Sequence, residues 1–237
     1  MMKKLLTFAA TCLWLLTPAH TVLAQDTRTF TFDKGQVLDV LYLIRRPDTG
    51  AALQDYFKEI GPVARKLNYT PHGGLGVSGK PAQGNFMPDV VAFGTWPGDF
   101  SDRDAAYGRL LEEAPDLHSR RMDIWSSFNM TQYELGEDIS LTMGKAKHYV
   151  LTAYWLEDAG NLDAFQAMLM ETLSATSGTA KMVLTGGRSP FGYAFTPDLV
   201  VFSEWDNVLD AAKFTGASKA LNSHGVVHVN QFPVAAP

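Results

Sequence analysis

The chain has 237 residues, 20 basic and 25 acidic side chains, a net charge of −5 with neutral histidines, and one cysteine. That acidic balance, with no basic cluster and no Cys/His metal-knuckle spacing, argues against nucleic acid and anionic membrane as partners. A lone cysteine cannot close an intrachain disulfide, so stability has to come from a core, for which 46% apolar residues suffice.

In chain order, Lys3 and Lys4 precede an apolar run from Leu5 to Leu16, and Val22-Leu23-Ala24 supplies small residues for cleavage before Gln25. The run is too short to span a bilayer, so residues 1–24 are expected to be a signal peptide and the mature chain periplasmic or secreted. Cleavage removes two lysines and the only cysteine, Cys12, leaving 213 residues with 18 basic against 25 acidic groups. No second hydrophobic span follows, which predicts no membrane association after cleavage.

The apolar segment "VLDVLYLI" (37–44) predicts a strand, and Arg45 to Asp48 a turn. Leu53, Phe57, Ile60, Val63, Ala64 and Leu67 then recur at helical spacing. A strand from about Tyr69 is expected to end before Gly73-Gly74. A Gly- and Pro-rich loop leads to "PDVVAFGTW" (88–96), a helix from Asp102 to Glu113, a short helix near 116–125, and the strand "MTQYEL" (130–135). The order then repeats: "HYVLTAYWL" (148–156), a helix over 161–174, a strand near Met182 before Gly186-Gly187, "PDLVVFSEW" (197–205), a helix over 208–221 and "VVHVNQF" (226–232).

Strand, helix, strand, strand, helix, strand is the ferredoxin-like order. The expected fold class is therefore α+β, with two tandem ferredoxin-like (βαββαβ) units, residues 25–140 and 141–237, packed sheet to sheet. Each unit covers one sheet face with its own helices, so the other apolar face needs a partner. Pairing of two whole chains through outer strand edges, giving a homo-oligomer, is also open to this layout.

The repeated strands carry a resemblance. Pro197-Asp198-Leu199-Val200-Val201, Glu204-Trp205 and Asp210-Ala211-Ala212 resemble the dimeric α+β barrel superfamily, in particular small bacterial domains without assigned activity. Pro88-Asp89-Val90-Val91 and Asp104-Ala105-Ala106 repeat the pattern in the first half, departing from it at Thr95, where the second half has Glu204. The resemblance implies fold and pairing. The same barrel hosts monooxygenases, haem enzymes and isomerases, so it leaves the chemistry open.

Glu204 is the candidate acid/base, a carboxylate after the apolar run "LVVF". His148 and His228 fall on strands that neighbour each other in such a unit and could face each other as a catalytic pair; either of them, or His72, is also a candidate haem ligand. His72 precedes Gly73-Gly74, where the second half has Thr185. Tyr42, Trp96, Tyr154, Trp155 and Trp205 are candidates to line an apolar pocket between the sheets, and Arg45, Arg46 and Arg188 to hold an anionic group. Ordinary core packing and solvated charges explain each of these residues as well.

No Ser-His-Asp order, Walker loop, Cys-x-x-Cys or His-Glu-x-x-His occurs, so no metal site and no cofactor is expected. The leading expectation is a small, partly apolar ligand bound between the sheets; a cofactor-independent monooxygenase or isomerase acting on an aromatic or keto substrate, and a haem protein, are the alternatives. Divergence between the halves (Thr95 against Glu204, His72 against Thr185) points to one asymmetric site.

Overall fold

A computed structural model of the protein describes residues 27–190 and 195–235, so the expected signal peptide lies outside the described residues. The chain is α+β, with five α-helices and antiparallel sheets among the described residues. Among the described residues no helix is long and apolar enough to cross a membrane.

Strand β1 (Thr27–Phe32) is followed by β2 (Gln36–Arg45), α1 (Gly50–Lys66), β3 (Thr70–Val77), β4 (Val90–Pro97), α2 (Phe100–Glu113), α3 (Leu117–Ile124) and β5 (Trp125–Glu134). Next come β6 (Ile139–Gly144), β7 (His148–Leu156), α4 (Leu162–Ala175), β8 (Thr179–Thr185), β9 (Leu199–Trp205), α5 (Val208–Ala217) and β10 (Val226–Ala235). Eight strands hydrogen-bond in the order β5-β2-β4-β3-β10-β7-β9-β8. Residues 36–134 and residues 148–235 thus trace the same order. Gly76 pairs with Ala235 and Val77 with Val234 where the halves join. At the far edges Gln132 and Arg188 form an antiparallel bridge, with N–H···O distances of 2.8 and 3.0 Å, which draws β5 and the end of β8 together.

Proline opens each repeated nonamer because it has no N–H to give to a ladder. The aspartate after it ties two strands: Asp89 Oδ2 accepts from Arg45 N, and Asp198 Oδ2 from Leu156 N, both at 2.7 Å. Asp99 caps α2 by accepting from Ser101 N and Asp102 N, while Asp102 accepts from Asp99 N in return, a capping box. Asn207 caps α5 through Asp210 N at 2.9 Å. Counted from these caps, Asp102 stands opposite Asp210; the sequence match of Asp104 with Asp210 is therefore two residues out of step.

Gly73 and Gly74 lie inside β3 rather than beyond it, at a bulge between Pro71 and Gly73. Gly73 has φ +86, which favours glycine, and a Cβ on Gly74 would lie 2.7 Å from the Val91 carbonyl oxygen. The antiparallel ribbon of β1 and β6 was not expected from the sequence. The anticipated boundary between residues 140 and 141 falls within β6. Phe30, Phe32, Leu141 and Met143 of the ribbon join the core between the halves, where Phe93 meets Phe202 at 5.8 Å between ring centres. Two further cores lie beneath the helices, one in each half.

Candidate functional site

Strand β2 alternates, so Leu38, Val40 and Tyr42 enter the central core while Asp39, Leu41 and Leu43 face the helices. On the helix side, β2, β4 and β5 and helices α1, α2 and α3 enclose a cavity of about 390 Å³. Gly61, Ala64 and Ala92 contribute little side-chain volume to its wall. Leu41, Leu43, Ile60, Trp96, Trp125 and Phe128 make the wall apolar, and exposed Phe57 and Arg65 mark the mouth.

Asp39, 3% exposed, is the one carboxylate among the described lining residues. Its oxygens accept from Trp96 Nε1 and Gln132 Nε2, each at 2.9 Å. Arg103, 1% exposed, reaches Asp39 only at 3.4 Å, Asp104 at 3.6 Å and the Met130 sulfur at 3.9 Å. Its Nε has no hydrogen-bond partner among the described residues. Arg121 donates to the hydroxyls of Tyr56 at 3.0 Å and Tyr107 at 2.9 Å, and stacks on Phe128 at 4.6 Å. Burial pushes the Tyr69 phenol well above its ordinary range, with Asp39 adding to the effect, and burial likewise raises Tyr107 against the opposing pull of Arg121 and Arg103. Both phenols therefore stay protonated at neutral pH.

At the same registers of the second half the polar groups are missing. Pairing of the strands sets Val150 opposite Asp39 in the comparison, and the caps set Ala211 opposite Arg103 and Phe214 opposite Ala106. Phe214 lies 5.0 Å from Trp205, and Phe165 lies 4.9 Å from Tyr154. These rings pack in one apolar cluster, and the Trp205 indole N–H has no hydrogen-bond partner among the described residues.

The residues expected to share one pocket are dispersed. Tyr42 and Trp155 do face the core between the halves, each against Phe195, at 4.3 and 5.1 Å. Trp96, Tyr154 and Trp205 point the other way, under the helices. The expected facing of His148 and His228 is not realised: they stand opposite Trp205 and Trp155, at the two ends of β7. His228 is exposed and packs on Trp155, 4.9 Å away. His148 borders a separate, open cavity of about 450 Å³ with Lys80, Lys145 and Lys147.

His72 bonds Thr95 Oγ1 through Nε2 at 2.9 Å and meets the Phe32 ring at 5.0 Å, and burial lowers its pKa. His72 is thus half-buried among protein groups, His228 lies on the surface and His148 stands at an open rim of lysines. Among the described residues no three of His, Cys, Asp and Glu come together in a way that could hold a metal ion.

Glu204, with its side chain 17% exposed, lies 4.0 Å from Lys181 and beside Tyr149, whose phenol is pushed up to about 12 by burial and, secondarily, by Glu204. Arg45 is exposed at the end of β2. Arg46 Nε donates to the Met122 carbonyl. Arg188 works as a clasp between the halves, donating to Gln132 at 3.1 Å, the Phe100 carbonyl at 3.2 Å and Asp104 at 2.7 Å. Asp39, Arg103, Arg121, Tyr56, Tyr69 and Tyr107 were absent from the expectation. One signal for them was present in the sequence: an aspartate in the middle of the apolar run "VLDVLYLI".

No family model matches the sequence, and no curated protein is similar to it. Solved structures are similar. An anthrone oxidase-like protein matches over 88% of this chain and 94% of its own, with a TM-score of 0.52 and 17% identity. A mutant chlorite dismutase from Candidatus Nitrospira defluvii matches over 86% of this chain and 93% of its own, with a TM-score of 0.50 and 8% identity. At these identities the likeness is one of fold alone.

Proposed function

We propose that this chain binds a small, partly apolar molecule, and that the molecule sits beneath α1 and α2 of the first half instead of between the sheets. The observation that carries the proposal is the cavity of about 390 Å³, walled by apolar side chains around a few buried polar groups. Ligand sites typically span about 300–1,000 Å³ and have this composition. The same cavity gives no support to the oxygenase or isomerase reading, because neither Glu204 nor His148 lines it. Asp39 is already engaged by Trp96, Gln132 and Arg103.

The repeated nonamer and the shared strand order support reading the two halves as copies of one ferredoxin-like unit. The leader-like residues 1–24 support export, so the binding activity would belong to the periplasm or the medium. Native mass spectrometry of the chain purified from the exporting cell tests the binding proposal. A bound mass is expected at one per chain and should be lost in Ala64→Phe, which fills the cavity; retention in that variant would move the site elsewhere.

A further inference from the structure

The cavity has a definite electrical character. Three of its lining residues are cationic, Arg65 at the mouth and Arg103 and Arg121 within, against Asp39 as the single acid. Asp104 approaches Arg103 from outside the lining, half-exposed and shared with Arg188. Arg121 has neutral partners, two phenols, so its charge is stabilised but not neutralised.

Arg103 is the more telling of the two. A guanidinium has five N–H donors in a planar fork, and a buried one is costly unless those donors are met. Here the nearest acceptor stands at 3.4 Å and Nε has none. The rings offset part of the charge, Arg103 being held over Tyr107 at 4.5 Å and facing Trp96 at 5.7 Å, but a ring face does not supply in-plane acceptors to the N–H fork. A donor-rich, acceptor-poor group beside an open volume asks for an anion. The protonated phenol of Tyr69 is a further donor on the same wall. Flat rings, those of Trp96, Tyr107, Trp125 and Phe128, make up much of the remainder.

We infer that the ligand is a one- or two-ring aromatic molecule bearing a single oxyanion, a carboxylate or phenolate, which faces Arg103 and Arg121 while its rings lie on the aromatic wall. The inference rests on the cavity being the binding site. The second half has Val150 and Ala211 at the places of Asp39 and Arg103, and the cations of its own cavity are the lysines Lys80, Lys145 and Lys147 at an open rim, without the buried guanidinium fork.

Calorimetric titration of the intact chain with 2-naphthoate and with 2-naphthamide, its neutral analogue, tests the assignment. Charge-assisted hydrogen bonds predict about 10- to 100-fold tighter binding of the acid. Arg121→Gln should remove most of that preference while leaving amide binding in place, and the Trp96 indole N–H resonance should shift on titration. Equal or tighter binding of the amide to the wild-type chain would overturn the anion assignment and leave the cavity as a site for neutral ligands. Binding of neither probe, or binding that leaves the Trp96 resonance unmoved, would overturn the cavity reading together with the anion inference.

Discussion

Trp96 and Trp205 end the two similar nonamers, Trp96 beneath α1 and α2 and Trp205 beneath α4 and α5, yet their surroundings differ. Trp96 gives its indole N–H to Asp39, with Arg103 close by and open space beyond; Trp205 belongs with Val150, Ala211 and Phe214 to an apolar cluster, Phe214 packing on its ring. Tyr69 packs against Gly94 in the first half, whereas the second has Gly178 and Ser203 at the matching registers. One scaffold thus supports a packed layer and a hollow, polar one. Besides Tyr69 and Gly94, the two layers differ by an acid for valine, arginine for alanine, and alanine for phenylalanine. A buried ion pair of this kind adds little net stability compared with apolar residues of similar volume, so its presence argues for a use other than holding the fold together.

The comparison can be broken most severely at Asp39. Asp39→Ala removes the acceptor for Trp96 and Gln132 and strands the Arg103 charge, and should cost about 3–5 kcal/mol in urea unfolding; a loss below about 1 kcal/mol would mean that Arg103 finds other partners or water. Phe214→Ala should open in the second half the space that Ala106 leaves in the first. A cost of about 3–5 kcal/mol is expected, together with new binding of a neutral apolar probe such as benzene, but not of naphthoate. Gly94→Ala presses a methyl group onto the Tyr69 ring and should cost about 1–3 kcal/mol. Combined with Tyr69→Ala it should cost less than the two changes summed, and strict additivity would show that the contact does not matter.

The smallest effect concerns pH. Burial lowers the pKa of His72, partly offset by Asp33, and burial together with Arg121 lowers that of His118. Both groups are more easily protonated in the unfolded chain, whose histidines titrate near 6.5. Their contribution to stability is therefore present above about pH 6.5 and is lost as the pH falls through the folded-state values. The double variant His72→Gln, His118→Gln should flatten the decline of the melting temperature below pH 6.5; an unchanged slope would assign the decline to other groups.

Much of the scaffold was legible in the chain. The order of strands and helices followed from periodicity and turn residues, and "PDVVAFGTW" and "PDLVVFSEW" each hold a strand, β4 and β9. The ribbon of β1 and β6 escaped because its partners are over a hundred residues apart and Thr27–Phe32 is too short to stand out. The site escaped for a different reason. In "VLDVLYLI" and "HYVLTAYWL" both faces of the strand are buried, so apolar residues run almost without interruption and alternation cannot say which face holds Trp96, Tyr154 or Trp205. The lone aspartate in the first run was the visible exception.

By itself the sequence determined the α+β class, the acidic balance and the turn residues, because each depends on composition, local chemistry or periodicity within a short window. Only the tertiary structure decided which strand face meets helices, that His148 and His228 part to opposite ends of β7, and that Asp39, Arg103 and Arg121 converge on one hollow. Those outcomes depend on strand register and on the packing of helices over the sheet, where a shift of one residue exchanges every inward side chain for an outward one.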